Sequence, residues 1–566
     1  MVEGAVVEGG TSEAESCDVC IVGTGAGGGI LAYELARAGL KVVSLEQGSL
    51  LREDHFSHID PYGATKDFGV RAHSRWPSDP HEAFFANRLF APPEHASARR
   101  RPDGFLQYQV FAVGGLQTLW NGVSLRFSAE DMADWSVSYD ALERHYTAVE
   151  QLIAVCGSRD GLSVLPDGHY SAPMALRPVD RLLSEALGRM GDSKALAIQN
   201  RKAILWRQGH AQDCISNGAC AFGCPVGAVY NFPRRLLPRI VRLANYRLIT
   251  QAKVTRLLTT RGGARVEAVA YLDCKSRTEK RLQAKLVVLA AGAVESPRIL
   301  FNSTSEAHPH GLANRNDQVG RRLQDNPKTV LSTSLWKLWQ LGRKGRSYDI
   351  GYGDPLLLLA EARLPDGEPF RFIGHDSHLV PSVPYYLSGL QGFPPRLKRQ
   401  LARVLFHSYV TLGLFCGGDP NPANRVQAGK TCDAFGVPQV EIAYQTAPKT
   451  QAKLAAMEHW GRALLRRASA TRITGQSSDR GTGIHYAGTT ALSFGREQGV
   501  VDRNLRCHGL ENLFVCDGGV IPRLPEKHLT LTIMALAHRL ATYLVDADHA
   551  AAKDSGPRSD AVPPPP

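Results

Sequence analysis

Residues 17–39, CDVCIVGTGAGGGILAYELARAG, decide the fold. Cys17 to Val22 form a short β-rich apolar run, which Gly23-Thr24-Gly25-Ala26-Gly27-Gly28 interrupts. The residues that follow carry apolar side chains at helical spacing, so the segment reads as strand, turn and helix. In such a unit Gly23 allows the tight turn and Gly25 lets the backbone approach a pyrophosphate. Gly28 lets the helix pack close to the strand, and the helix N-terminus faces the phosphates. Glu46 closes the next apolar run, KVVSLE, at the distance expected for an acidic ribose contact. A carboxylate there repels a 2′-phosphate and disfavours NADP. The motif alone does not choose between FAD and NAD.

At 566 residues the chain exceeds what one core organises, so two intimately joined domains are expected. A hydrophobic content of 43% with 21% charged residues is ordinary for a globular protein. The net charge of +12 is spread in short clusters such as RRRPD, PRRLLPR and LGRKGR, without the arginine–aromatic pattern of a nucleic-acid binder. Spread charge of this kind favours, at most, an anionic substrate or an acidic electron-transfer partner. The first sixteen residues, MVEGAVVEGGTSEAES, lack the pattern of a secretory signal, and no run of about 18 apolar residues offers a transmembrane span. A cytoplasmic location is expected, with export only alongside a partner subunit. The Pro- and Ser-rich DSGPRSDAVPPPP reads as a disordered tail.

Eleven cysteines, an odd number, suit a reducing compartment and mostly unpaired thiols. Eight are scattered and read as small core residues. Cys214, Cys220 and Cys224 are gathered in CISNGACAFGCPVGAVYN, with a proline directly after the last. This run reads two ways. It is a tight turn with packed thiols, or it supplies three thiolates to an iron–sulfur cluster, a set that suits three irons better than four.

Farther along, RLITQAKVTRLLTT and RVEAVAYLD read as β-rich segments. AKLVVLAAGAVESPRILFNS reads as a buried strand, a small-residue turn and a helix, so strands return late to a discontinuous nucleotide domain. In VGGLQTLWN, Gly114-Gly115 makes a turn ahead of Trp120 and Asn121 that brings backbone donors close to a planar ligand. HYAGTT, opened by His485, precedes ENLFVCDGG and then KHLTLTIMALAHR with His528. A neutral imidazole near working pH is an efficient acceptor for an alcohol proton. His485 fits that task, and His528 fits the orienting of the hydroxyl. The helix expected from Thr530 would set its positive end beside a bound ring.

Together the glycine loop, the segment from Gly292 to Leu300, VGRRLQDNP and the block from His485 to Arg539 resemble the glucose-methanol-choline (GMC) oxidoreductase family along essentially the whole chain. The resemblance implies an α/β (α+β) architecture: a Rossmann-like FAD-binding domain with a discontinuous antiparallel-sheet substrate domain. It implies FAD-binding parts at residues 15–305 and 485–546, a substrate domain at 306–484, and disordered tails at 1–14 and 547–566. It assigns Gly23, Gly25, Gly28 and Glu46 to the ADP half of FAD and Val254 to the adenine side. Gly114, Gly115, Asn121, Asp517, Gly518 and Leu529 fall to the flavin region, and His485 and His528 to catalysis. At the second active-site position the family has proline after the residue, and here Leu529 follows His528. Where the pyranose oxidase branch attaches its flavin through histidine, this chain has Leu119, so the FAD is expected to be non-covalent. The run ending CPVGAVYN is similar to the catalytic subunits of bacterial FAD-dependent glucose and glycoside dehydrogenases, which implies a three-iron cluster and an electron-transfer subunit or cytochrome. The expected activity is oxidation of a hydroxyl on a sugar, glycoside or polyol. An oxidase passing electrons to oxygen and a non-redox, FAD-containing lyase are the rival readings. The aromatic-rich SHLVPSVPYYLSGLQGF is expected to close over the substrate.

Overall fold

The computed structural model of the chain describes residues 6–8, 15–51, 104–216, 226–343, 353–377 and 408–554, with residues 96, 98, 220, 224, 394, 396 and 397. The expected strand, turn and helix are Glu15–Val22, the glycine turn and Ala26–Arg37. Val19, Cys20 and Ile21 are fully buried, as a central parallel strand covered on both faces requires.

That strand lies inside an eight-stranded sheet. The parallel part runs Val6–Glu8, Tyr246–Thr250, Val42–Leu45, Glu15–Val22 and Glu279–Leu289. Val266–Asp273 and Ala252–Thr259 then continue it antiparallel. The long strand Glu279–Leu289 changes neighbour along its length. Its first half pairs with Val266–Asp273, and at Val287 to Leu289 the late strand Leu513–Val515 joins it in parallel register. Residues more than two hundred positions apart therefore finish side by side at the carboxyl end of the sheet, where open α/β sheets hold their ligands.

A second, six-stranded antiparallel sheet contains Lys328–Ser334, Leu356–Arg363, Pro369–Ser377, Tyr409–Cys416 and Thr474–Ser478, with Leu196–Gln199 at one edge. The helices Pro178–Gly188 and Pro448–Arg467 cover it through Leu183, Leu331, Leu412, Met457 and Leu464. This is the α/β architecture expected for a GMC oxidoreductase, with the nucleotide sheet below and an antiparallel roof above. Two stretches expected as tails contribute to ordered elements: Val6–Glu8 pairs with Tyr246–Thr250, and the helix Thr530–Asp554 runs past residue 546. The rest of those stretches, and residues 378–393 of the aromatic-rich segment, lie outside the described residues. Among the described residues no helix is long and apolar enough to cross a membrane.

The tightest packing lies behind the glycine turn. A Cβ on Gly28 would stand 2.0 Å from the Gly23 carbonyl oxygen, a backbone atom that cannot swing aside. Gly28→Ala is therefore expected to lower stability by about 1–3 kcal/mol or more. Gly188 closes a helix where an added Cβ meets nothing within 4 Å. Gly188→Ala is expected to leave the melting temperature unchanged or raise it. Thermal unfolding of the two variants, compared side by side, checks both.

Candidate active site

A cavity of about 470 Å³ extends from the glycine turn to the underside of the second sheet. Of the residues expected to act, Gly23, Gly25, Glu46, Gly115, Asn121, Val254, His485, Asp517, Gly518, His528 and Leu529 line it, while Gly28 and Gly114 lie behind the wall.

On the nucleotide side, Gly23 turns with φ +91°, and a Cβ there would meet Ala290 O at 2.6 Å. Gly25 is the opposite case, since a Cβ on it would find nothing nearer than Gly114 O at 4.0 Å and would stand in the cavity itself. That bare backbone at the start of Ala26–Arg37 is the approach a pyrophosphate needs. Gly27 is tight for a reason that local pattern does not carry: its Cβ would lie 2.1 Å from Cys516 O, where the late strand passes. Thr24 was also missed by sequence reasoning. Its hydroxyl donates to Glu46 Oε2 at 2.6 Å and accepts from Gly114 N at 3.0 Å, which ties the glycine turn, the acidic residue and the Gly114-Gly115 turn together. The Glu46 carboxylate, expected on a ribose, also accepts from Thr24 N and Gly48 N. Burial raises its pKa, against these hydrogen bonds. The Val254 carbonyl accepts from Arg298 Nη2 at 2.8 Å.

Asp517 closes the site from the C-terminal side. Its Oδ2 accepts from Gly292 N at 2.9 Å and Ser296 Oγ at 2.5 Å, and its Oδ1 from Gly519 N at 2.8 Å. The carboxylate thus clips the turn after Leu289 to the turn after Val515. Gly518 follows with no room for a side chain, its Cβ position being 2.3 Å from Tyr486 O. Leu529 and Thr530 bring the first turn of Thr530–Asp554 to the cavity wall.

The two histidines meet at the far end. The rings of His485 and His528 are 4.5 Å apart and nearly perpendicular, at 84°. The backbone before His485 is held by Asp325, whose carboxylate accepts from Gly483 N at 2.6 Å and His485 N at 2.7 Å. Burial raises the Asp325 pKa to about 7, with those N–H groups opposing. Asn326 settles which nitrogen of His485 carries the proton. Its Nδ2 donates to Cys416 O at 2.8 Å and Pro525 O at 2.7 Å, so its Oδ1 must face the His485 Nδ1 at 2.9 Å. An amide oxygen only accepts, so neutral His485 carries its hydrogen on Nδ1 and its lone pair on Nε2. Removal from water, then Lys328 and His375, lowers the His485 pKa to about 3. Burial, then His485 and His375 and after them Lys202 and Lys328, holds His528 well below the usual histidine range. Both rings are therefore neutral at physiological pH. Asp325 and Asn326 stand in the VGRRLQDNP stretch, but nothing in that stretch by itself points to a histidine about 160 positions away.

Asn121, on the cavity wall, is tied to charged groups behind it. Its amide bonds the buried Asp354 carboxylate and accepts from Lys202 Nζ at 2.9 Å. Cys220 and Cys224 are buried with Cys156, Met174, Ile204 and Trp206, and Cys214 packs at the edge of that cluster. Burial, then Cys214 and Cys224, raises the Cys220 pKa, so the three thiols sense one another. None of the eleven cysteines is in a disulfide. Among the described residues no three His, Cys, Asp or Glu side chains converge to hold a metal ion. The three thiols pack in one cluster and have the chemistry of an iron–sulfur cluster's ligands.

The cavity does fit a flavin dinucleotide. It offers an unobstructed backbone at Gly25, a helix N-terminus on each side, and a buried, unpartnered Gln117 Oε1 in its wall.

Comparison with known proteins agrees. Residues 107–328 and 420–537, more than half of the chain together, match the N- and C-terminal GMC oxidoreductase domains. The fructose dehydrogenase large subunit of Gluconobacter japonicus is 25% identical over 95% of this chain and 99% of its own. The 6'''-hydroxyparomomycin C oxidase of Streptomyces lividus is 28% identical over 94% and 92%. Among solved structures, a pyridoxine 4-oxidase superposes with a TM-score of 0.60 at 17% identity, covering 93% of this chain and 99% of that one, a likeness of fold. With the dinucleotide sheet, the clipped C-terminal turn and the paired histidines in place, the chain belongs to the GMC oxidoreductases, FAD-dependent enzymes.

Proposed function

We propose that the protein oxidises a hydroxyl of a sugar, glycoside or polyol, with His485 as the base. The observation that carries this reading is the His485 tautomer, which leaves the Nε2 lone pair as the basic atom of a neutral ring on the cavity wall. The relatives named for fructose and a hydroxylated aminoglycoside support a polyhydroxy substrate.

In this reading the glycine turn from Gly23, with Glu46 and Val254, holds the ADP half of non-covalent FAD. Gly114, Gly115, Asp517, Gly518 and Leu529 bound the flavin region. Bound flavin supplies an acceptor for the hydride of the C–H bond. The protein's share is the O–H proton, which passes to His485 Nε2 while Asn326 keeps the other nitrogen protonated. His528, perpendicular to His485, orients the hydroxyl. The roof strands exclude water from the reacting atoms.

His485→Ala is expected to slow anaerobic flavin reduction by about 10²–10⁴-fold with FAD still bound. An unchanged rate removes His485 from the chemistry.

The pH dependence has a definite sign. A base with a pKa lowered to about 3 is unprotonated above that value, so the acid limb of the reduction rate should lie below the usual histidine range. Asn326→Asp places a carboxylate beside Nδ1–H, favours the imidazolium and should move that limb to higher pH. Stopped-flow reduction across pH, for both proteins, checks it.

For the electron acceptor, we favour transfer to a partner subunit or cytochrome over oxygen. The large-subunit relative and the three neighbouring thiols Cys214, Cys220 and Cys224 support this. Iron and sulfide analysis of anaerobically purified protein, with peroxide measured on turnover, decides the matter. About three irons per chain and no peroxide is the expected result. Flavin without iron, with peroxide released, assigns the chain to the oxidases and makes the thiols structural.

A further inference from the structure

His375 stands on Pro369–Ser377, in the roof, and lines the same cavity as His485 and His528. It is 8% exposed, and both its ring nitrogens are buried without a hydrogen bond that meets ordinary geometry. Its Nδ1 points to the Asp354 carboxylate, 3.3 Å away. The ring lies nearly parallel to Phe415 at 5.3 Å and 5.4 Å from His528, so the three imidazoles are grouped around one phenyl ring.

What stands behind His375 is built to keep a charge. Asp354 is fully buried, with Lys202 Nζ at 3.8 Å and the Asn121 amide on the same oxygen. Burial pushes its pKa up, but Lys202, His375 and Arg177 outweigh this and hold it at about 2. A carboxylate fixed in that state draws the imidazole proton to Nδ1, which leaves Nε2 as an acceptor. A buried polar atom without a partner is costly, and a bound partner would remove that cost.

Resting on the reading of the site as an alcohol-oxidising centre, we propose that His375, positioned by Asp354, binds a second hydroxyl of the substrate, next to the one presented to His485, and so selects vicinal diols over simple alcohols. His375 and His485 both lie close to His528, at 5.4 and 4.5 Å between ring centres, and line one cavity, so each offers an acceptor to a different hydroxyl of one substrate. The substrate hydroxyl donates to His375 Nε2 and no bond is broken there, so His375 is a specificity residue and Asp354 a positioning residue.

The test uses holoenzyme and two probes, trans vicinal cyclohexanediol and cyclohexanol, with flavin reduction followed anaerobically in a stopped-flow instrument. This separates the dissociation constant from the limiting rate. Wild-type protein should prefer the diol. In His375→Leu the ratio of kcat/KM for diol over cyclohexanol should fall about tenfold to a hundredfold, mainly through weaker diol binding. His375→Gln, which keeps an acceptor, should recover part of the ratio, and Asp354→Asn should lower it in the same direction. The visible spectrum and FAD content of each variant report its folding, and the ratio stays readable when absolute rates drop. A ratio unchanged in both His375 variants, or a wild-type enzyme indifferent between the probes, overturns the inference and leaves the alcohol-oxidising reading intact. Wild-type flavin bleached by sugars but by neither probe overturns the inference alone, and flavin bleached by neither probe nor by a panel of sugars, glycosides and polyols overturns both.

Discussion

The carboxylate of Asp517 is the constraint on which the site depends. It accepts hydrogen bonds from Gly292, Ser296 and Gly519, and so locks the end of a strand begun near residue 280 to the end of one begun at Leu513. Everything that follows in the chain is placed by that lock: Gly518 against Tyr486, then His528, then the helix Thr530–Asp554 with its first turn at the cavity. Burial opposes ionisation of Asp517, and its three donors offset the cost. An interior carboxylate with fewer donors would be a liability at this position.

Much of the site follows from close backbone contacts, and those were legible where they are local. The turn at Gly23 announces itself because its cause, a conformation of positive φ beside a neighbouring strand, lies within a few residues of pattern. The strands Ala252–Thr259, Val266–Asp273 and Glu279–Leu289 announce themselves by alternation and length. Gly27 looks like one more glycine in a rich loop, yet it is required by Cys516, nearly five hundred residues away.

The same limit governs the end of the cavity where the histidines meet. His485 and His528 could be singled out because each sits in a distinctive segment, whereas Asn326 and Asp325 act on His485 across about 160 positions and carry no mark of it. His375 is a histidine in an ordinary strand, PFRFIGHDS, whose meaning comes from Asp354 behind it and Phe415 beside it. Glu46 was visible as an acid in the right place, but its hydrogen bonds to Thr24 and Gly48 emerge only from the folded turn. Sequence pattern reports what a residue does to its own strand or helix. It is silent on what reaches that residue from elsewhere.

The joining of Leu513–Val515 to Glu279–Leu289 also orders events during synthesis. A ribosome making this protein delivers the glycine turn early and the clip that completes the pocket close to last. Until that late strand emerges, the nascent sheet has an open edge alongside Val287 to Leu289 and no wall at Gly518. The pocket is therefore complete only when translation is nearly finished, and a chain cut short before residue 513 lacks both the parallel partner of Val287 to Leu289 and the wall at Gly518, whatever the state of its first half.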